Sequence, residues 1–385
     1  MSESLIHFLA FVSGAYLIIK FTTGNLRWRL FAFFQTTFLF YFIFNSSLSI
    51  ISFISLLAFI GIFYQLLVSS FFVRHKMIVL ASLATLFLVV VKLVNLPLIG
   101  ASYISFRLIY LVSEFENETI ARPTFSMFLV FLLFFPTLAM GPISPSYDFF
   151  ESFGKLDRKI HPISTSVYRT LVGFIKCYYL PAVIGKIGFI ALWKDSYNHG
   201  VFDFITSAVS YFAFLYFNFS GYCDIAIGTA GLLGVRIKEN FNSPFLARNL
   251  QEYWTRWHIT LSEFIKEMVY SPLLKWFVTK YGAGPKSMSI GIPAITFVTF
   301  IVLGLWHGLE FHFILFGILQ ALGIIIFQYY GKFLKSRLSP GRFVAYRDNR
   351  YIILFSRALT LSYMTLCLVV FDNKTSKLIS LFTQN

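Results

Sequence analysis

The sequence predicts an all-α polytopic membrane protein, and three observations predict it. Of its 385 residues, 57% are hydrophobic, 20% are aromatic and only 13% are charged, about half the charge of an ordinary soluble domain. Several apolar runs approach or exceed the roughly 18 to 20 residues that a helix needs to cross a bilayer. They lie at 48–73, 77–94, 126–140, 290–305 and 313–329. The basic residues behind the net charge of +15 sit between these runs. They mark cytoplasmic loops and not a nucleic-acid surface. The bilayer is the partner that composition demands, and nucleic acid is excluded.

Charged or polar breaks divide the chain into about ten membrane segments. These fall near 4–20, 31–45, 48–73, 77–97, 123–141, 164–193, 201–220, 288–306, 311–330 and 351–371, for a total of about 10 to 12 membrane helices. The first run, "LIHFLAFVSGAYLII", has no basic stretch before it and no small-residue cleavage site after it, so it reads as a retained anchor. No internal repeat, linker or appended soluble domain is visible, and a single membrane domain over 1–385 is the simplest account. Cys177, Cys223 and Cys367 are far apart and form no CxxC pair, so neither a disulfide framework nor a zinc site is expected.

Three basic loops set the orientation: Lys20, Arg27 and Arg29; Arg74, His75 and Lys76; and the stretch from Lys332 to Arg350. All belong on the cytoplasmic side, which puts the turn "GLWHGLE" (304–310) toward the outer side. Two regions are irregular. "FNFSGYCDIAIGTAGLLGV" (217–235) holds four glycines and Asp224, and "PTLAMGPISP" (136–145) holds three prolines. Each reads either as half-helices or re-entrant segments lining a pocket, or as a loop at the membrane surface.

From Asn249 to Tyr270 the apolar residues recur at spacings of three and four, as on one stripe of an α-helix. The segment is too charged to span and should lie in the interface or against the protein's own core. His258 falls at the edge of the stripe, as an ordinary interfacial histidine or as one that looks into a cavity. His307 stands between glycines in "GLWHG", beside Trp306, at the end of an apolar span. An ionisable group at membrane depth is costly and is by default a functional candidate. Histidine also suits acid–base work near neutral pH. Asp224 needs a partner or a proton if buried. His312 reads as interfacial and His161 as a loop residue. His199 and Asp203 in "NHGVFD" are spaced HxxxD, not the HxxxxD of soluble-type glycerolipid acyltransferases. No GxSxG elbow or P-loop occurs.

The order of these stretches resembles the membrane-bound O-acyltransferase superfamily, in the bacterial branch of alginate O-acetylation and teichoic-acid D-alanyl transfer. The matching stretches are "SYISFR", "FFPTLAMGPI", "FNFSGYCDIAIGTAGLLGVRIKENFNSPF", "EYWTRWHITLSEFIKEMVY" and "GLWHG". They occupy about 100–330, the motif-bearing core. The resemblance implies membrane helices around a central tunnel open to both sides. It implies His307 as the active-site residue and His258 as the second. Trp306, Trp257, Arg256, Asp224, Tyr222 and Asn242 are the tunnel-lining candidates, with no metal.

It further implies a thioester co-substrate in place of a bound cofactor, either acyl-CoA or an acyl or aminoacyl carrier protein carrying phosphopantetheine. The donor arrives from the cytoplasm, and a hydroxyl acceptor or an outer-face acyltransferase partner waits beyond a bacterial plasma membrane. His307 would serve as general base, while His258 polarises the carbonyl or orients the acceptor. A second histidine found downstream of "WHG" in the teichoic-acid type is not evident, and Gln320 stands in that region. The rival function is a transporter or flippase of a lipid-linked envelope precursor, which would usually show repeat symmetry.

Overall fold

The computed structural model describes residues 2–42, 47–69, 76–94, 96, 98–155, 162–185 and 201–373. Arg74, His75, His161 and His199 therefore lie outside the described residues. Regular structure among the described residues is helical throughout, with one isolated bridge between Phe241 and Trp257. Among the described residues, six helices are long and apolar enough to cross a membrane. Chain contacts divide the molecule into two compact units, residues 1–176 with 219–239 and residues 177–218 with 240–385.

The first unit opens with α1 (Ser2–Phe21) and α2 (Gly24–Phe42). Their turn is closed by the Arg27 guanidinium, whose Nε and Nη2 donate to the Thr22 carbonyl at 3.0 and 2.7 Å. α3 (Ser47–Val68) and α4 (Lys76–Leu93) are apolar around their whole circumference, as bilayer-spanning helices must be. α5 (Ala101–Glu116), α6 (Phe125–Leu132), α7 (Ser146–Lys155) and α8 (Ile163–Phe174) are short. Much of the chain's phenylalanine packs here, with Phe11, Phe31, Phe63, Phe128, Phe131, Phe134, Phe149 and Phe153 all buried.

The membrane segment expected at 123–141 does not form. α6 has eight residues, a 3-10 turn follows at Phe135–Thr137, and the backbone is irregular to 145. The carbonyls freed at the end of α6 find a donor in buried Arg107 from α5. Its Nη1 reaches the carbonyls of Phe131 (3.1 Å) and Leu132 (2.6 Å), and its Nη2 reaches that of Thr137 (2.7 Å). Gln35 serves the Leu129 and Val130 carbonyls in the same way, at 3.2 and 3.3 Å. Non-helical backbone inside an apolar protein needs such internal partners.

α9 (Leu180–Ile184) belongs to the second unit. α10 (Val201–Leu232) contributes its part through Asn218 to the second unit and the remainder to the first. The glycine-rich stretch from 217 onward is thus helical through Leu232, neither a half-helix nor a surface loop. Two of its glycines, Gly221 and Gly228, lie close against α8. A Cβ on Gly173 of α8 would sit 2.7 Å from the Ile225 nitrogen and 2.8 Å from the Gly221 carbonyl, and one on Gly228 would meet the Ser166 carbonyl at 2.8 Å. Small residues let α8 and α10 approach backbone to backbone, as in close membrane helix crossings.

The second unit continues with α11 (Leu250–Trp254), α12 (Ile259–Ile265), α13 (Ser271–Tyr281), α14 (Pro285–His307), α15 (Phe311–Arg337), α16 (Pro340–Asp348) and α17 (Arg350–Phe371). α14 and α15 form a tight hairpin. Any Cβ on Gly304 would fall 2.4 Å from the Phe313 carbonyl, and one on Gly317 would fall 2.4 Å from that of Phe300. Buried Gln320 ties three helices together. Its Oε1 accepts from Trp254 Nε1 at 3.0 Å, and its Nε2 faces Met364 Sδ at 3.4 Å. Trp254 is therefore a core residue.

Candidate active site

His258 does not sit on one continuous helix, as the apolar stripe predicts. The helix stops after Trp254, the chain turns, and a new helix starts at Ile259. The turn is held from the side by residues 240–242. The Ile259 N–H donates to the Asn240 carbonyl at 3.0 Å, and the Asn242 N–H donates to the Arg256 carbonyl at 2.9 Å. Those bonds satisfy backbone groups that a continuous helix would have paired internally. The stripe survives because both short helices bury the same side, with Leu250, Tyr253, Trp254, Leu261, Phe264 and Ile265 in the core.

The break leaves His258 in the left-handed region, at φ 46° and ψ 51°. A non-glycine residue there costs energy and persists only where its surroundings fix it. His258 is 5% exposed, so it is a buried side chain and not an interfacial one. Burial, reinforced by the neighbouring His307, pushes the His258 pKa down to about 3, which keeps the ring neutral at pH 7. Its Nδ1 lies 3.2 Å from Asn240 Oδ1.

His307 comes from a different element, the last residue of α14, with Gly308 as the helix cap. At Gly308 a Cβ would lie 2.3–2.4 Å from the Glu310 carboxylate and the Phe313 ring, so a side chain there would displace both. The Trp306 ring has its centroid 6.2 Å from that of His258 and 4.4 Å from that of His307. Phe371, Phe313 and Phe316 complete an aromatic collar around His307, at 4.8, 6.0 and 6.1 Å. Two imidazoles 49 positions apart in sequence thus become electrostatic neighbours in one apolar setting.

The other predicted residues fall in different places. Trp257 stacks on Tyr253 (5.7 Å, 17°) and meets Phe241 edge-on at 5.0 Å. Arg256 is engaged by Glu252, with Nε and Nη2 at 3.1 and 2.9 Å from Oε1, and its Nη1 reaches the Asn242 carbonyl at 3.1 Å. It braces the turn. Asn242 is exposed and contributes backbone bonds. Tyr222 and Asp224 belong to the first unit, where Asp224 accepts from Arg169 Nε at 3.1 Å and Lys176 Nζ at 2.6 Å. Asn240 was missed by sequence reasoning. "ENFNSPF" offers two asparagines with nothing to separate them until the fold buries one and exposes the other.

Comparison with known proteins places the chain in a family. The family model described as MBOAT, membrane-bound O-acyltransferase family, matches residues 40–366. The teichoic acid D-alanyltransferase of Streptococcus thermophilus is 28% identical over 60% of this chain and 57% of its own length. The probable alginate O-acetylase of Pseudomonas aeruginosa is 30% identical over 57% of this chain and 40% of its own length. The peptidoglycan O-acetyltransferase of Helicobacter pylori is 30% identical over 53% of this chain and 37% of its own length. The aligned chain thus spans between about two fifths and three fifths of each of these relatives. The family match runs through both units and across both histidines, and with it the chain belongs to the membrane-bound O-acyltransferase family.

Proposed function

We propose that this multi-pass membrane protein moves an acyl group from a cytoplasmic thioester to a hydroxyl acceptor on the outer side of a bacterial plasma membrane. The observation that carries the proposal is the meeting of His258 and His307 in an apolar, aromatic setting.

In the reaction, the acceptor oxygen forms a bond to the thioester carbon and the carbon–sulfur bond breaks. His307 takes the hydroxyl proton as general base and returns it to the departing thiolate, so the products are an ester and a free thiol. The aromatic collar lines the site with apolar surface, which disfavours water and limits hydrolysis of the thioester. The pantetheine arm of coenzyme A or of a carrier protein is long enough to bring the acyl group in from the cytoplasm. The thioester is a co-substrate, and no resident cofactor is needed. The relatives are named for teichoic acid, alginate and peptidoglycan, all hydroxyl-bearing envelope polymers. The acceptor is such a polymer or an outer-face transferase partner that passes the group on.

Transport of a lipid-linked precursor is the competing function, and it breaks no bond. Purified protein in liposomes, given donor labelled in its acyl group and envelope acceptor on the opposite side, separates the two. Label that becomes ester-linked to the acceptor supports acyl transfer. Movement of an intact lipid-linked sugar without any ester product would replace it.

A further inference from the structure

Asn240 is 1% exposed, and three donors converge on its Oδ1. They are the Thr260 N–H at 3.1 Å, the Thr260 hydroxyl at 2.9 Å and His258 Nδ1 at 3.2 Å. A backbone N–H can only donate, so the Asn240 atom facing it is the carbonyl oxygen and not the amide nitrogen. That oxygen can only accept, and Nδ1 of His258 must therefore carry the hydrogen. In a neutral imidazole the other nitrogen, Nε2, then holds the lone pair. The backbone fixes the same arrangement. Ile259 donates to the Asn240 carbonyl at 3.0 Å, and His258 is locked in its left-handed conformation between these contacts. One asparagine thus holds three consecutive residues of the histidine turn.

We propose that Asn240 is a positioning residue that fixes His258 as the Nδ1–H tautomer, making Nε2 a hydrogen-bond acceptor toward the hydroxyl compound that receives the acyl group. The last clause rests on the acyl-transfer function; the tautomer does not. The consequence is a division of labour. A ring with its only hydrogen tied to Asn240 cannot donate to a thioester carbonyl, so His258 does not polarise the donor. It orients the acceptor, and proton removal falls to His307. An orienting group behind a histidine is the general logic of catalytic triads, where the wrong tautomer is strongly inactivating.

The test reads the tautomer directly. The full chain is labelled with ring-15N histidine in detergent micelles and studied by long-range proton–nitrogen correlation, with His258→Gln to assign the signal. The wild type is expected to show His258 protonated at Nδ1 and bare at Nε2. Asn240→Asp keeps an acceptor oxygen and is expected to keep that pattern, while Asn240→Leu removes it and is expected to give a tautomer mixture.

Acceptor-dependent thiol release should fall about 100-fold in Asn240→Leu, at the lower end of what acid–base positioning contributes, with the donor KM unchanged. A wild-type ring protonated at Nε2 overturns the proposal, as does Asn240→Leu with wild-type tautomer or wild-type turnover. Because the tautomer is read without substrate, absence of acyl transfer in the wild type would overturn the enzymatic function and leave the Asn240 assignment standing.

Discussion

Asp224 and His258 are both polar side chains in an apolar protein, and they are held in opposite ways. Asp224 is fully compensated. Arg169 and Lys176 reach its two oxygens, and Arg169 also takes both oxygens of Glu239 at 2.5 Å, so two cations and two anions cancel. His258 meets a neutral amide at Nδ1 and is kept uncharged by burial. Charges matched in this way are engaged with one another, even where solvent still reaches part of the cluster. A neutral imidazole carries a lone pair on one ring nitrogen whatever holds the other.

The contrast is sharpest in substitutions that separate activity from stability. His258→Asn is expected to lower acyl transfer by at least about 100-fold. Its melting temperature in detergent should stay near wild type, because asparagine tolerates the left-handed backbone. A large loss of stability would make His258 a structural residue. Gly173→Leu acts on the opposite cluster. It would force α8 away from the Ile225 nitrogen and the Gly221 carbonyl, at a cost of about 3 kcal/mol. Unfolding in denaturant would show the loss, and activity should fall only as folded protein falls.

Removing one cation should do less. Arg169→Met leaves Asp224 with Lys176 alone and Glu239 without its bidentate partner. The side chains are 28%, 17% and 59% exposed, so solvent screening holds the cost to about 1–2 kcal/mol. Denaturant unfolding of the variant beside the wild type measures it.

Much of the fold was legible because bilayer-crossing helices announce themselves by length and apolarity, as α3, α4, α14, α15 and α17 do. The short helices were not. At 123–141 the sequence is apolar enough to span, and only the buried Arg107 and Gln35, meeting carbonyls far along the chain, make a break tolerable. At 217–232 glycine reads as a helix breaker, yet the close partner α8 turns it into a packing surface. The two histidines were legible as polar residues in apolar motifs. The broken helix at His258 was not, since the bonds that break it come from Asn240 and Asn242, and a periodicity analysis of 249–270 does not see them.

The smallest expected effect concerns pH and the brace of the histidine turn. Burial alone would raise the Glu252 pKa, but the Arg248 N–H and the Arg256 and Arg248 guanidinium groups outweigh it and hold the carboxyl below its usual range. A depressed carboxylate pKa stabilises the fold above the unfolded value and loses that contribution as pH falls through the folded one. Glu252→Gln should therefore be slightly less stable than wild type near pH 7, by less than about 1 kcal/mol. The difference should vanish in acid. Unfolding midpoints of the two proteins at several pH values give the answer.

The most direct test of the central claim is thiol release in liposomes, from acetyl-CoA and from an aminoacyl carrier protein, with envelope acceptor on the opposite side. Wild type is compared with His307→Ala. Acceptor-dependent release with one of the two donors, lost in a variant that melts like the wild type, is the result expected of His307 as general base. Equal release from wild type and His307→Ala would contradict it.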